Sequence, residues 1–436
     1  MAEWSNWSGT VVAQPDRIIA VRDVAHVQEI CATATRDGLR VKPIGSGHSF
    51  TGIGEPVDIQ LRMDALAGIR SVDEEAGRVW LGAGTRLADA VVDLHARGLA
   101  LANQGDYDRQ TLSGATSTGT HGTGIGLTGF AGMVRGVELV LADGSLLRIT
   151  DTSHADWLPG AALTLGALGV LTAIEFQCVP SYLLTSVEKP MELAEVLGGL
   201  DDLVDSHDHF EFFWFPASRR VLAKLNERHT DLARRDPLPG WKARLDDDLI
   251  ANRLFGVVNE LTTRVPRLSA PLNRVSTMAL SGRSYTDWSH IVYPTDRDVR
   301  FRESEFSVPR AAVAPVLREL DGWLRRHSSI TSFPLEVRFT AADDRWLSTA
   351  YGRASGYIAV HQFHKRPHQD YFEAFWWILR AHCGDEARPH WGKMHDLDAA
   401  RLRAAYPKFD DFVALRDRLD PARTFANPYL DRVLGA

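Results

Sequence analysis

Two glycine-rich turns constrain this chain more than any other feature: PIGSGHSFTG at residues 43–52 and LSGATSTGTHGTGIG at residues 112–126. Glycine reaches positive φ freely and lets a ligand approach the main chain, so consecutive N–H groups in such turns can converge on a phosphate. Two clusters in one chain are compatible with a single dinucleotide. No GxGxxG follows a strand in a βαβ unit, and GxxxxGK[ST] is absent, so neither a Rossmann site nor a P-loop is supported. The first cluster also carries a lone histidine, His48, whose candidate roles are metal ligand, catalytic base, structural filler or attachment point.

The pattern around these turns alternates helices and strands. Val24, Val27, Ile30, Cys31 and Ala34 recur at helical spacing, with Asp23 as a cap and Gly38 as a stop. LRVKPIG, VDIQLRM and RVWLGAG read as strands, and Thr85 opens a second amphipathic helix with Leu87, Val91, Val92 and Leu94 on one face. Asp143-Gly144 marks a hairpin turn in VRGVELVLADGSLLRIT. Beyond about Pro180 the composition shifts: tryptophan becomes frequent, and strands such as HFEFFWFP and YIAVHQF alternate with helical stretches. With 436 residues, the chain is expected to form two domains.

A net charge of −7 without any polybasic tract argues against duplex nucleic acid or an anionic membrane as partner. Cys31, Cys178 and Cys383 are far apart and form no CxxC pair, which reads as core residues of a reduced protein. The opening MAEWSNWSGTVV lacks a signal-peptide pattern, and the longest apolar run, AALTLGALGVL, is too short to span a bilayer. A soluble, cytoplasmic protein is expected.

Among chemistry-bearing residues, His207 with His209 and His390 with His395 match neither HExxH nor a Cys/His finger. The alternation in HFEFFWF reads instead as a strand with one buried face, and no metal is expected. GxSxG is absent, which disfavours a serine hydrolase. In FPLEVRF, strand alternation sends Glu336 and Arg338 to one face and Val337 to the other. That pair is either an ion pair on a solvated strand or part of a site; its apolar neighbours argue for partial burial. Lys393 is an ordinary surface lysine unless a pocket holds it, in which case a lysine beside a Glu/Arg pair can stabilise an alkoxide.

Taken in order, WSNW (4–7), GSGHSF (45–50), NQGD (103–106), GTHGTG (119–124), LGALGV (165–170), EVR (336–338) and HWGK (390–393) resemble one family. It is the aldonolactone oxidoreductases of the vanillyl-alcohol-oxidase flavoprotein superfamily. The resemblance implies FAD as cofactor, attached covalently through His48, with Gly45, Ser46, Gly47 and Ser49 around the pyrophosphate. Gly114, Thr118, Gly119, Thr120 and His121 are then near the flavin, and Gly166, Gly169 and Val170 lie against the dinucleotide. Residues 103–108 contain no cysteine, so a second covalent link is excluded. Glu336, Arg338 and Lys393 match the substrate-side constellation.

The fold implied is α+β: an FAD-binding domain of two small α/β subdomains over residues 1–178, and a substrate domain with a large antiparallel sheet flanked by helices over 179–418. A tail at 419–436 returns to the FAD domain. The reaction implied is oxidation of an aldono-1,4-lactone of the L-gulono type at its C2 hydroxyl, by hydride transfer to flavin N5, giving ascorbate or an analogue. Electrons pass on to O2 or to a cytochrome- or quinone-type carrier, with Gly119 or Thr120 in the segment where an oxygen gate sits. The reading leans to a dehydrogenase. Two rivals are an alditol oxidase acting on xylitol or sorbitol with O2, and a flavin-binding protein without catalysis.

Overall fold

In the computed structural model, which describes residues 3–216, 218–239, 255–278, 282–295 and 299–436, the first glycine turn leaves the end of a small parallel sheet. Its strands lie in the order Arg17–Ala20, Ile59–Arg62, Val41–Ile44. Parallel strands joined in sequence need a crossover, and the helix Val24–Arg36 supplies the one from Arg17–Ala20 to Val41–Ile44, on either side of Ile59–Arg62. Asp23 caps it by accepting from the His26 N–H at 2.8 Å, and Val27, Ile30, Cys31 and Ala34 face inward as their spacing predicts.

The second sheet is antiparallel, in the order Leu146–Thr150, Val134–Val140, Val170–Pro180, Arg78–Gly82, Ile69–Asp73, with Leu99–Leu101 paired to the far end of Val170–Pro180. The expected hairpin forms, with Leu146 opposite Val140 and Gly144 at φ +84°. The second helix differs from expectation. It spans Leu87–His95, and Thr85 does not cap it: the Thr85 hydroxyl donates to Gly82 O at 2.6 Å and accepts from the Gly68 N–H at 2.9 Å, closing a turn. Val92 is 57% exposed, because its neighbour Val91 takes the inward direction and successive helical residues point about 100° apart.

From Val170–Pro180 the chain passes almost directly into an eight-stranded sheet. Its order is Arg283–Trp288, Leu183–Glu192, Arg220–His229, His209–Trp214, Leu335–Thr340, Ser355–Phe363, Phe301–Pro309, Arg388–Pro389, all antiparallel. The helices Val313–Arg326 and Gln369–Cys383 bury Leu317, Leu320, Tyr371 and Phe375 in one core with Phe210, Phe212 and Trp214. The expectation of one buried face for HFEFFWF is corrected here. His209 and Glu211, on the opposite face, are buried as well, because the second glycine segment covers them. The expected α+β class, with a large antiparallel sheet flanked by helices, is the one observed.

The last residues fold back onto the first sheet. Val41 N–H donates to Thr424 O at 2.7 Å, and Phe425 is buried among Val27, Cys31 and Val41. Asn427 caps the helix Pro428–Leu434 by accepting from the Leu430 N–H at 2.9 Å, while its Nδ2 donates to the carbonyls of Gly52, Ile53 and Glu55. The three cysteines are free and buried. Among the described residues no helix is long and apolar enough to cross a membrane.

Candidate active site

Gly45 explains how the two glycine clusters come together. A Cβ on Gly45 would lie 2.0 Å from Thr111 Oγ1, so only glycine lets the first turn seat against the start of the second cluster. Thr111 uses that oxygen to accept from the Gly114 N–H, capping the short helix Leu112–Ser117. Gly47 then reverses the chain at φ +64°, and its carbonyl accepts from the Trp7 N–H at 2.8 Å. Phe50 N–H donates to Gly392 O at 2.7 Å, which brings the HWGK segment to the same place.

These contacts frame one open cleft lined by both glycine clusters. Of the residues picked out by sequence, Gly45, Ser46, Gly47, His48 and Ser49 line it from the first turn. Gly114, Thr118, Thr120 and His121 line it from the second cluster, and Gly166 and Gly169 from the loop before Val170–Pro180. Glu336, Arg338 and Lys393 stand on the facing wall. Two expected residues sit apart from this lining. Gly119 turns at φ +77° toward Leu163 and Trp391, and Val170 is fully buried in the core with Val41 and Phe425.

His48 lies between two rings, stacked on Tyr107 at 3.8 Å and 11° and tilted against Trp7 at 4.5 Å. Elsewhere in the cleft lining, the buried Lys42 ammonium donates to the carbonyls of Gly166 and Phe425, each at 3.2 Å. Burial pulls Lys42 down to about 7, although Asp420 and Asp431 pull the other way.

The facing wall is a set of buried ion pairs. Arg338 Nε donates to Glu211 Oε2 at 2.8 Å, and its Nη2 pairs with both Asp106 Oδ1, at 3.2 Å, and Glu336 Oε1. Lys224 Nζ lies 3.7 Å from the other Glu211 oxygen. Burial works against the guanidinium, but Glu336, Asp106 and Glu211 together hold it well above its ordinary range. Burial likewise raises Glu211, and Arg338 with Lys224 brings it back below the usual carboxylate value. Lys393 Nζ donates to Glu303 Oε2 at 2.5 Å and lies 5.1 Å from the centre of the Phe50 ring. Against the cost of burial, Lys393 and His361 keep Glu303 well below its ordinary pKa.

Between the two walls, His121 stacks on Tyr357 at 3.6 Å. Its Nδ1 donates to Gly122 O at 2.9 Å, and its Nε2 lies 3.1 Å from Glu305 Oε1. Burial raises Glu305, but the His121 contact outweighs it and holds the carboxyl at about 2. His390 accepts at Nδ1 from the Gly392 N–H at 3.1 Å, and burial lowers it to about 3. Among the described residues His121, Glu305 and His390 form one group whose possible ligand atoms lie within 4.8 Å of one another. Each already has a protein hydrogen-bond partner. Neither of the pairs raised by sequence, His207 with His209 or His390 with His395, supplies such a group by itself: His207 bonds Leu203 O and His395 bonds the Tyr429 hydroxyl.

Sequence reasoning missed Glu303, Glu305, Glu211, Asp106, Tyr107 and Lys42. A signal existed for the first two: RESEF places Glu303 and Glu305 on one strand face, by the same alternation that singled out Glu336 and Arg338.

Residues 174–433 match the family model described as D-arabinono-1,4-lactone oxidase, and residues 15–150 match that of an FAD binding domain. The chain is 39% identical over 432 residues to L-gulono-1,4-lactone dehydrogenase of Mycobacterium tuberculosis, covering 99% of each chain. It is 31% identical to L-gulonolactone oxidase of Mus musculus, covering 99% of this chain and 98% of the relative. Cholesterol oxidase from Brevibacterium sterolicum shares the fold, with a TM-score of 0.78 at 17% identity over 99% of this chain and 96% of that one. A family match over more than half the chain and end-to-end relatives at this identity lead to one conclusion: the chain belongs to the D-arabinono-1,4-lactone oxidase family and carries an FAD binding domain ahead of that region.

Proposed function

We propose that this protein oxidises the C2 hydroxyl of an aldono-1,4-lactone of the L-gulono type, with FAD held along the glycine turns and joined covalently to His48. The observation that carries the reading is one cleft with His48 on its main-chain wall and two cations, the buried Arg338 and the partly buried Lys393, on the wall opposite. FAD, when bound, supplies the two-electron acceptor. The residues of the chain handle the proton and the charge. Glu336 accepts the hydroxyl proton, and Arg338 and Lys393 hold the negative charge that develops on the substrate oxygen. Cations already oriented by their ion pairs do this without the reorganisation that water would need. The 2-keto lactone so formed tautomerises to ascorbate or an analogue.

The dehydrogenase name of the 39%-identical relative supports an electron acceptor other than O2. Three free, buried cysteines suit a reducing, cytoplasmic setting.

Two measurements test the proposal. Purified protein is expected to be yellow, to keep its colour in the acid-precipitated pellet, and to bleach anaerobically on addition of L-gulono-1,4-lactone. Deuterium at C2 is expected to slow the bleaching. Colour released into the supernatant removes the covalent bond to His48 from the proposal. Bleaching by xylitol but not by lactone replaces the lactone with an alditol, and a folded protein without flavin overturns the whole.

A further inference from the structure

Enzymes that grip a substrate carboxylate present it with a free arginine fork, two parallel N–H groups on one edge of the guanidinium. Both bidentate edges of a guanidinium, Nε with Nη2 and Nη1 with Nη2, need Nη2. In this cleft that nitrogen is engaged by Asp106 and Glu336, and Nε by Glu211. Arg338 therefore has no edge left for an incoming carboxylate; Nη1 suits a single hydroxyl oxygen. Lys393 is likewise matched by Glu303, and Lys224 by Glu211. Around Arg338 two cationic side chains, Arg338 and Lys224, meet three carboxyl groups, those of Asp106, Glu211 and Glu336, while Glu303 is matched by Lys393 and His361 and Glu305 by His121. The carboxyl groups of Glu211, Glu303, Glu305 and Glu336 are all buried, where charges are poorly screened.

We infer that Asp106 and Glu211 act as specificity residues that exclude anionic substrates, so the site takes an uncharged polyhydroxy compound and rejects its ring-opened acid. Lactones hydrolyse in water to aldonates that carry the same hydroxyl groups, so a site selective only for hydroxyls would be filled by the hydrolysis product. The carboxyl groups set around Arg338 leave that product a repulsive field and no fork. In naming the acid as an aldonate the inference rests on the proposed function; the charge argument itself does not.

The test is calorimetric titration of the oxidised holoenzyme with L-gulonate and xylonate, and with xylitol as an uncharged ligand, together with inhibition of lactone-driven flavin reduction by each acid. The acids are expected to bind at least 100-fold more weakly than xylitol. Asp106→Asn and Glu211→Gln are each expected to narrow that ratio at least tenfold, by strengthening the anion's binding rather than by weakening xylitol's. Two variants are used so that failure of one to fold, seen as lost flavin, leaves the other; the wild-type ratio needs neither. Acids that bind wild-type protein within tenfold of xylitol overturn the inference, as does a ratio that folded variants leave unchanged. Intact discrimination between xylitol and xylonate, without any reduction by lactone, would sink the proposed function and leave this inference standing.

Discussion

The two walls of the cleft are made of different materials. The wall built from residues 43–52 and 112–126 offers mainly main chain, and its requirements are space and unusual φ, as Gly45 against Thr111 and Gly47 at φ +64° show. The wall built by the eight-stranded sheet offers charged side chains on alternate strand positions, and its requirement is balance: Arg338 is stable there only because Glu211, Asp106 and Glu336 surround it. One wall fails when something is added, the other when something is taken away. Substitutions on the two sides are therefore expected to leave opposite signatures in flavin content and turnover.

Arg338→Met gives the largest effect. It leaves three carboxyl groups without their main partner, and breaking a buried pair in this way costs about 3–5 kcal/mol. If Arg338 holds the substrate oxygen as proposed, losing that preorganised charge is also expected to lower kcat by about 10²–10³. Flavin content per folded protein stays at the wild-type level. Rapid-reaction bleaching, the flavin-to-protein ratio and a urea midpoint report all three. Flavin lost together with activity would break the division between the walls.

Gly45→Ala is the reverse case. The added methyl meets Thr111 Oγ1 at 2.0 Å, an overpacking that costs about 1–3 kcal/mol. Flavin occupancy falls, while molecules that still hold flavin turn over normally. Thr111→Ala in the same chain removes the colliding oxygen and is expected to recover part of the occupancy. An occupancy unchanged by Gly45→Ala would show that the turn shifts freely.

Acid separates the walls in another way. Burial lowers His390 to about 3, so its ring is neutral in the folded protein and takes up a proton on unfolding below its ordinary value of 6.5. Its contribution to stability is complete above pH 6.5 and is lost as pH falls toward 3, about 2 kcal/mol of it by pH 5. His209, lowered to about 4, and His395, lowered to about 3, act in the same direction. His390→Gln is expected to flatten the decline in urea midpoint between pH 7 and pH 5 by that amount. An equal slope in both proteins would place the acid sensitivity elsewhere.

The same division decides what the sequence made legible. Glycine motifs are local, so the turn holding His48 and the cluster around Thr118 and Thr120 could be named before any fold was known. Alternation is also local, and it placed Glu336 beside Arg338. It failed at Glu211 because a strand carrying His209, Glu211 and Phe213 on one side was read as half solvated. In the middle of a sheet covered on both sides, no solvated face exists. Asp106 against Arg338 and Lys42 against Phe425 join segments far apart in the chain, and no spacing rule reaches across that distance. Gly119 and Val170 show a related limit: a motif assigns a stretch to a wall, while the turn geometry decides which residues face in.

Asn427 gives the smallest expected effect and the finest division. As a cap followed by proline it reads as a helix start, and Ser would serve that role nearly as well. What Ser lacks is the Nδ2 group that donates to Gly52, Ile53 and Glu55, beside Thr51 and Ile53 of the cleft lining. Asn427→Ser is expected to cost about 1 kcal/mol, the net worth of an ordinary hydrogen bond, and to quicken amide exchange over residues 51–55. Should flavin occupancy fall with it while kcat per flavin holds, the C-terminal segment behaves as part of the main-chain wall, bracing the first glycine turn from behind. Should occupancy hold while exchange quickens, the turn keeps its shape through Gly45, Gly47 and Phe50 alone, and the tail contributes packing rather than cofactor retention.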